Sequence, residues 1–182
     1  MKKFFVLLLS AAVMIPLWGG SAKKSCVLYF SWSDKANTHK VAEMIAKQTG
    51  ADLIRVFPEK AYSKNYNEVL RRGRNELREK TSCPIKKLSG ELKKYNTFFI
   101  GTPIWFGTYA PPVRTLLQQN DFKGKKVYFF CTHGRGGPGR FFSDAAKLAV
   151  GAKVTASGFS CYGNHVNKIA PQLEKWLKEK VK

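Results

Sequence analysis

Hydroxyl, amide and aromatic side chains gather in three separate stretches of this sequence. The first reads Ser31-Trp32-Ser33-Asp34-Lys35-Ala36-Asn37-Thr38 and runs from an apolar pentad into a segment of helical spacing. Ser31, Ser33 and Thr38 carry hydroxyls, and Asn37 a carboxamide, that can donate to phosphate oxygens. A helix N-terminus adds unpaired N–H groups and the positive end of its dipole. Ordinary capping of the helix by Asn37 or Thr38 uses the same residue types, so this stretch alone leaves both readings open.

The second stretch, Gly101 to Pro112, contains Pro103-Ile104-Trp105-Phe106-Gly107. A Trp-Phe pair in a loop leaves apolar area that something must cover. A planar aromatic ligand would cover it by stacking; packing of Trp105 into the core would do the same. Gly107 frees the backbone to change peptide orientation. The third stretch is Thr132-His133-Gly134-Arg135-Gly136-Gly137-Pro138-Gly139-Arg140. Its glycines let backbone N–H groups approach a ligand's carbonyl oxygens. His133 fits a proton donor, a ring contact or a surface residue, and one histidine without a partner does not make an acid–base site. No residue is assigned a catalytic or metal-binding role.

These stretches need a scaffold that brings them together. Cys26–Phe30, Leu53–Phe57, Thr97–Gly101, Val127–Cys131 and Val154–Cys161 read as strands, the first and fourth as continuous apolar runs of the kind covered on both faces. Helical spacing runs through Val41, Met44 and Ile45 to a C-capping Gly50, through Tyr66, Val69, Leu70, Gly73 and Leu77, over 113–119 with Pro112 in its first turn, over 141–149, and from Ile169 to Val181. Strands alternating with helices predict an α/β fold, a parallel sheet with helices on both faces. Ligands bind such sheets beyond the carboxyl ends of the strands, where all three stretches fall. A phosphate-binding G-x-x-x-x-G-K-[ST] loop and a G-x-G-x-x-G turn are both absent. The first strand ends Tyr29-Phe30-Ser31 without the acidic residues of a receiver domain.

At 182 residues, 44 % of them hydrophobic, the chain suits one well-cored domain. Lys2 and Lys3, the apolar run Phe4–Leu17 and the small residues Gly20 and Ala22 predict a signal peptide over 1–22, cut after Ala22, with a single domain over 23–182. The expected location is therefore outside the cytoplasm, in a periplasm. Lysine and arginine number 32 against 12 acidic residues, a formal net charge of +20. That field attracts acidic proteins and anionic membrane surfaces; export argues against nucleic acid. None of the four cysteines forms a C-x-x-C. Cys131 and Cys161 end neighbouring strands and are the one candidate disulfide pair.

Taken together, Tyr29-Phe30-Ser31-Trp32-Ser33 with Asn37-Thr38, Gly101-Thr102-Pro103-Ile104-Trp105-Phe106-Gly107, and Phe130-Cys131-Thr132-His133-Gly134 resemble the flavodoxin family, in particular its short members with a proline-tryptophan second loop. The resemblance spans Cys26 to the C-terminal helix. It implies a three-layer sandwich around a five-stranded parallel sheet in the order 2-1-3-4-5, and FMN as cofactor. By that resemblance Ser31, Ser33, Asn37 and Thr38 hold the phosphate, with Trp32 beside them. Pro103, Ile104, Trp105 and Phe106 flank the isoalloxazine, with Trp105 stacked on it and Gly107 responding at N5. Thr132, His133 and Gly134 line the pyrimidine side. The chain departs from the family in having Asp34-Lys35-Ala36 where a single glycine is usual, and in lacking an aromatic in the third loop. The implied function is electron transfer with a redox protein or quinone, an acidic partner suiting the charge. A quinone-type reductase using the same FMN, and a binding module without flavin, are the alternatives.

Overall fold

The computed structural model describes residues 24–33, 35–79, 83–155 and 157–181. The signal peptide expected over 1–22 lies outside the described residues, as does Asp34.

Apolar pentads form the middle of the sheet. β1 (Ser25–Tyr29) pairs in parallel with β2 (Asp52–Arg55) on one side and β3 (Thr97–Trp105) on the other. β3 pairs in parallel with β5 (Lys126–His133), and β5 with the edge segments β6 (Lys153–Val154) and β7 (Phe159–Tyr162). The spatial order β2-β1-β3-β5-β6 is the expected 2-1-3-4-5 once the short antiparallel β4 (Thr108–Tyr109) is set aside.

Alternation along the strands sorts side chains to two cores. Leu28, Phe98 and Phe129 face α3 (Pro111–Gln119) and α4 (Phe141–Leu148), with α2 (Tyr66–Arg78) packed beyond through Leu77. Val27, Phe99 and Tyr128 face α1 (Asn37–Thr49) and α5 (Ala170–Lys180) through Val41, Ile45, Leu173 and Trp176. The result is the expected three-layer sandwich. Gly50 ends α1 in the left-handed region, and Asn65 caps α2 by accepting from the N–H groups of Asn67 and Glu68.

Two expectations need correction. The fifth strand, expected as one run over 154–161, is two segments. From Val127↔Val154 to Phe130↔Phe159 the edge chain uses two more residues than β5, and the surplus bulges out of the ladder. The Cys131–Cys161 pair does not form. Cys161 lies opposite Thr132, one residue out of step with Cys131, so the two thiols point into different cores. All four cysteines are buried free thiols. Burial pushes Cys26 up to about 12 and Cys161 up to about 11, and raises Cys83 and Cys131 as well, so none is a ready thiolate.

Candidate functional site

The carboxyl ends of β1, β3, β5 and β7 open into one cleft of about 320 Å3, at the small end of the range for cofactor-sized ligands. Ser31, Trp32, Ser33, Asn37, Thr38, Pro103, Ile104, Trp105, Thr132, His133 and Gly134 all line it. Phe106 and Gly107 do not, for a local reason. β3 continues four residues beyond its expected end and turns back into β4, pairing Ile104 with Tyr109 and Trp105 with Thr108. Phe106 (φ 50°) and Gly107 (φ 77°) are the two central residues of that hairpin, the arrangement a two-residue primed turn requires. The turn carries them out of the cleft. The Gly107 carbonyl accepts the Arg140 N–H at 2.7 Å, so this oxygen already has a partner away from the cleft.

The phosphate end is built from α1's first turn. Asn37 and Thr38 are not its cap: that position is Ala36, which holds the left-handed φ of 49° and whose side chain offers no cap hydrogen bond. Ala36 thus takes the conformation that a glycine adopts without strain. The Ala36 N–H closes a turn onto the Ser33 carbonyl at 2.8 Å. Arg55 at the end of β2 holds the Ser31 carbonyl at 2.7 Å, fixing the backbone of a residue that lines the cleft. Beneath it the buried Thr38 and Thr132 hydroxyls bond each other at 2.7 Å. Lys35 also lines the cleft and adds positive charge.

The aromatic wall is braced from behind. Trp105 is half-buried. It meets Tyr62 edge-on at 4.9 Å between ring centroids, with Phe30 at 5.8 Å and Trp32 at 6.2 Å. Its six-membered ring lies so close to Gly73 of α2 that an added Cβ there would stand 3.0 Å from Cε3. Trp32 is fixed by its indole N–H on the Ser63 carbonyl at 3.1 Å. Tyr62 donates to Glu76, and Arg72 pairs with Glu76 at 2.8 Å while lying over the Tyr62 ring at 4.1 Å. Burial, with hydrogen bonds to Cys83 and Glu76, raises the Tyr62 phenol far above its usual range, so it stays protonated. Trp105 therefore packs on the core and walls the cleft at once, where sequence reasoning set these as alternatives.

The far side of the cleft holds residues not anticipated. Tyr162, the last residue of β7, and Gly163 and Asn164 after it complete the lining. Tyr162 stacks on His133 at 6.4 Å between ring centroids. The aromatic missing from the third loop is thus supplied by the last strand. The signal was available: Tyr162 stands at a fourth strand's carboxyl end, the position that singled out the other three loops.

Comparison with known proteins agrees with this geometry. A profile described as flavodoxin matches residues 24–179. The chain belongs to the flavodoxin family. Among solved structures, a flavoprotein from Lactobacillus acidophilus NCFM, in complex with FMN, is 28 % identical, with a TM-score of 0.65 over 81 % of this chain and 98 % of that one. A provisionally named flavoprotein from Bacteroides eggerthii is 24 % identical, with a TM-score of 0.72 over 85 % of this chain and 96 % of that one. A similarly named protein from Bacteroides uniformis is 23 % identical, with a TM-score of 0.74 over 86 % and 98 %. No curated protein matches the sequence significantly.

Proposed function

We propose that this chain is an exported FMN protein that passes electrons to a separate redox partner. The observation that carries the reading is the cleft itself. The first turn of α1, the Ser31, Thr38 and Thr132 hydroxyls and the Trp105 and Tyr162–His133 walls converge on one space. The donor set fits a phosphate: first-turn N–H groups, hydroxyls, a carboxamide and Lys35 are what a dianion needs. The walls fit a flat ring, and the FMN-bound relative supports that cofactor.

FMN, when bound, supplies one- and two-electron chemistry that no side chain here provides. The chain's own residues bind and orient it. Ser31, Ser33, Asn37, Thr38 and Lys35 hold the phosphate, Trp105 and Ile104 wall one side, and Thr132, His133 and Gly134 the other. The buried Thr38–Thr132 pair keeps the phosphate end rigid against the ring end. Among the described residues no group of three or more His, Cys, Asp and Glu could hold a metal ion.

The filled rim favours electron transfer to a protein over turnover of a small acceptor. Tyr162 beside His133 narrows the side that a quinone would otherwise approach. Steady-state assays separate the two. Reduced holoprotein should react with redox proteins and show no saturable turnover of soluble quinones; saturating quinone kinetics would favour a reductase. Export rests on residues 1–22, and mature protein beginning at Lys23 in a periplasmic fraction is its test.

A further inference from the structure

Behind the β3–β4 hairpin lies a second concavity, about 650 Å3 in volume and larger than the cofactor cleft. Arg74 and Arg78 of α2, Arg114 of α3 and Arg140 before α4 line it, with Phe106 and Tyr109 on its apolar floor. We propose that this groove docks the acidic face of the redox partner, an apolar side chain of that partner seating against Phe106. The proposal rests on the reading of the neighbouring cleft as the cofactor site.

Charge is the first argument. Three exposed guanidinium groups, those of Arg74, Arg78 and Arg140, share the groove with one carboxylate, Asp144, which accepts the Thr108 hydroxyl at 2.8 Å and pairs with Arg140 at 3.6 Å. Arg74 and Arg78 make no salt bridge among the described residues; Arg74 instead lies 5.4 Å from the centre of the Phe106 ring. Arginine's planar fork binds carboxylates in pairs of hydrogen bonds, and arginine with aromatic residues is the composition of interface hot spots. Phe106 is 39 % exposed at the hairpin tip, its ring covered in part by Arg74 alone among the groove's arginines.

Shape and position decide among anionic occupants. Arg114 lies buried at the base of the recess, where it donates to the Glu76 carbonyl at 2.8 Å; the hollow above it admits a protruding protein segment and not a flat bilayer. A second copy of this chain would bring another +20 of charge. Position links the groove to the cofactor. Trp105, which walls the cleft, is the direct cross-strand partner of Thr108, which lines the groove. A partner seated there is one hairpin away from the site where the reduced cofactor loses one electron and the partner's centre gains it.

The probe is a fluorescein-labelled peptide of alternating glutamate and leucine with one phenylalanine, titrated by anisotropy at physiological salt. Arg74→Glu/Arg78→Glu is compared with Lys47→Glu/Lys175→Glu, which changes net charge equally on the α1–α5 layer, at two exposed lysines. The groove variant should bind the peptide at least tenfold more weakly and the remote variant less than threefold. Equal weakening in the two, or none in either, would overturn the proposal. So would a groove variant that loses binding to phosphatidylglycerol vesicles while keeping the peptide. FMN affinity, titrated in parallel, should stay within twofold in both variants. A wild-type chain that takes the peptide in the groove but not FMN would overturn the cofactor reading alone.

Discussion

Thr38 and Thr132 lie 94 positions apart in the chain, and their hydroxyl oxygens meet at 2.7 Å in the buried floor of the cleft. The contact ties the first turn of α1 to the end of β5. Replacing one partner by valine leaves the other hydroxyl buried without it. Thr132→Val should therefore cost about 1–3 kcal/mol. Thr38→Val/Thr132→Val, which removes both groups, should cost less than the sum of the single changes. Urea denaturation of the four proteins in a double-mutant cycle measures the coupling; strict additivity would mean that the two hydroxyls do not act as a pair.

Ala36 is in the left-handed region at φ 49° at the head of α1. A side chain there costs about 1–2 kcal/mol, partly offset by the greater backbone entropy that glycine loses on folding. Ala36→Gly is expected to raise stability by about 0.5–1 kcal/mol. A thermal melt that shows no gain, or a loss, would contradict the turn geometry.

Gly139 holds the hairpin against α4. Its φ is +57°, and an added Cβ would stand 2.2 Å from the Gly107 carbonyl oxygen, the acceptor of the Arg140 N–H. Backbone must move to admit it. Gly139→Ala should cost more than the ~1 kcal/mol of a left-handed alanine alone. Chemical denaturation gives the loss, and a change below that figure would show that the hairpin yields easily.

Much of this was legible in the sequence because periodicity reports burial. The pentads Cys26–Phe30 and Val127–Cys131 could only be central strands, and the order of the sheet followed from the family they resemble. Three loops at strand ends then converge by topology alone. What stayed hidden depends on contacts between segments. Nothing local marks Thr102–Trp105 as a strand, because Thr102 and Pro103 pair with the distant β5, Ile104 and Trp105 pair with the two-residue β4, and the turn relies on a positive φ at Phe106. The edge bulge that splits β6 from β7, and the odd offset that sets Cys161 opposite Thr132 and so on the other face from Cys131, are matters of register. Tyr162 ends a strand and could have been read as lining; only its stacking on His133, a neighbour across the sheet, was hidden.

Alkaline pH should unfold the protein through its thiols. Cys26 and Cys161 ordinarily titrate at 9.0; burial, joined for Cys26 by the nearby Asp52, holds them protonated to about 12 and about 11 in the fold. Between those limits the unfolded chain binds fewer protons than the native one, so stability falls as pH rises. The contribution is complete below pH 9 and is lost as pH climbs through 11 to 12. Urea midpoints measured from pH 8 upward should decline, and Cys161→Ala should flatten the decline. An unchanged slope in that variant would assign the loss to other groups.

The central claim is that the cleft is an FMN site walled by Trp105. Titration of purified protein into FMN, followed by flavin fluorescence, tests it most directly. The predicted result is quenching that saturates at one FMN per chain, with Trp105→Ala weakening the affinity by about three- to tenfold, the scale of one aromatic contact. Flavin fluorescence that stays unquenched, or an affinity that Trp105→Ala leaves unchanged, would contradict the account.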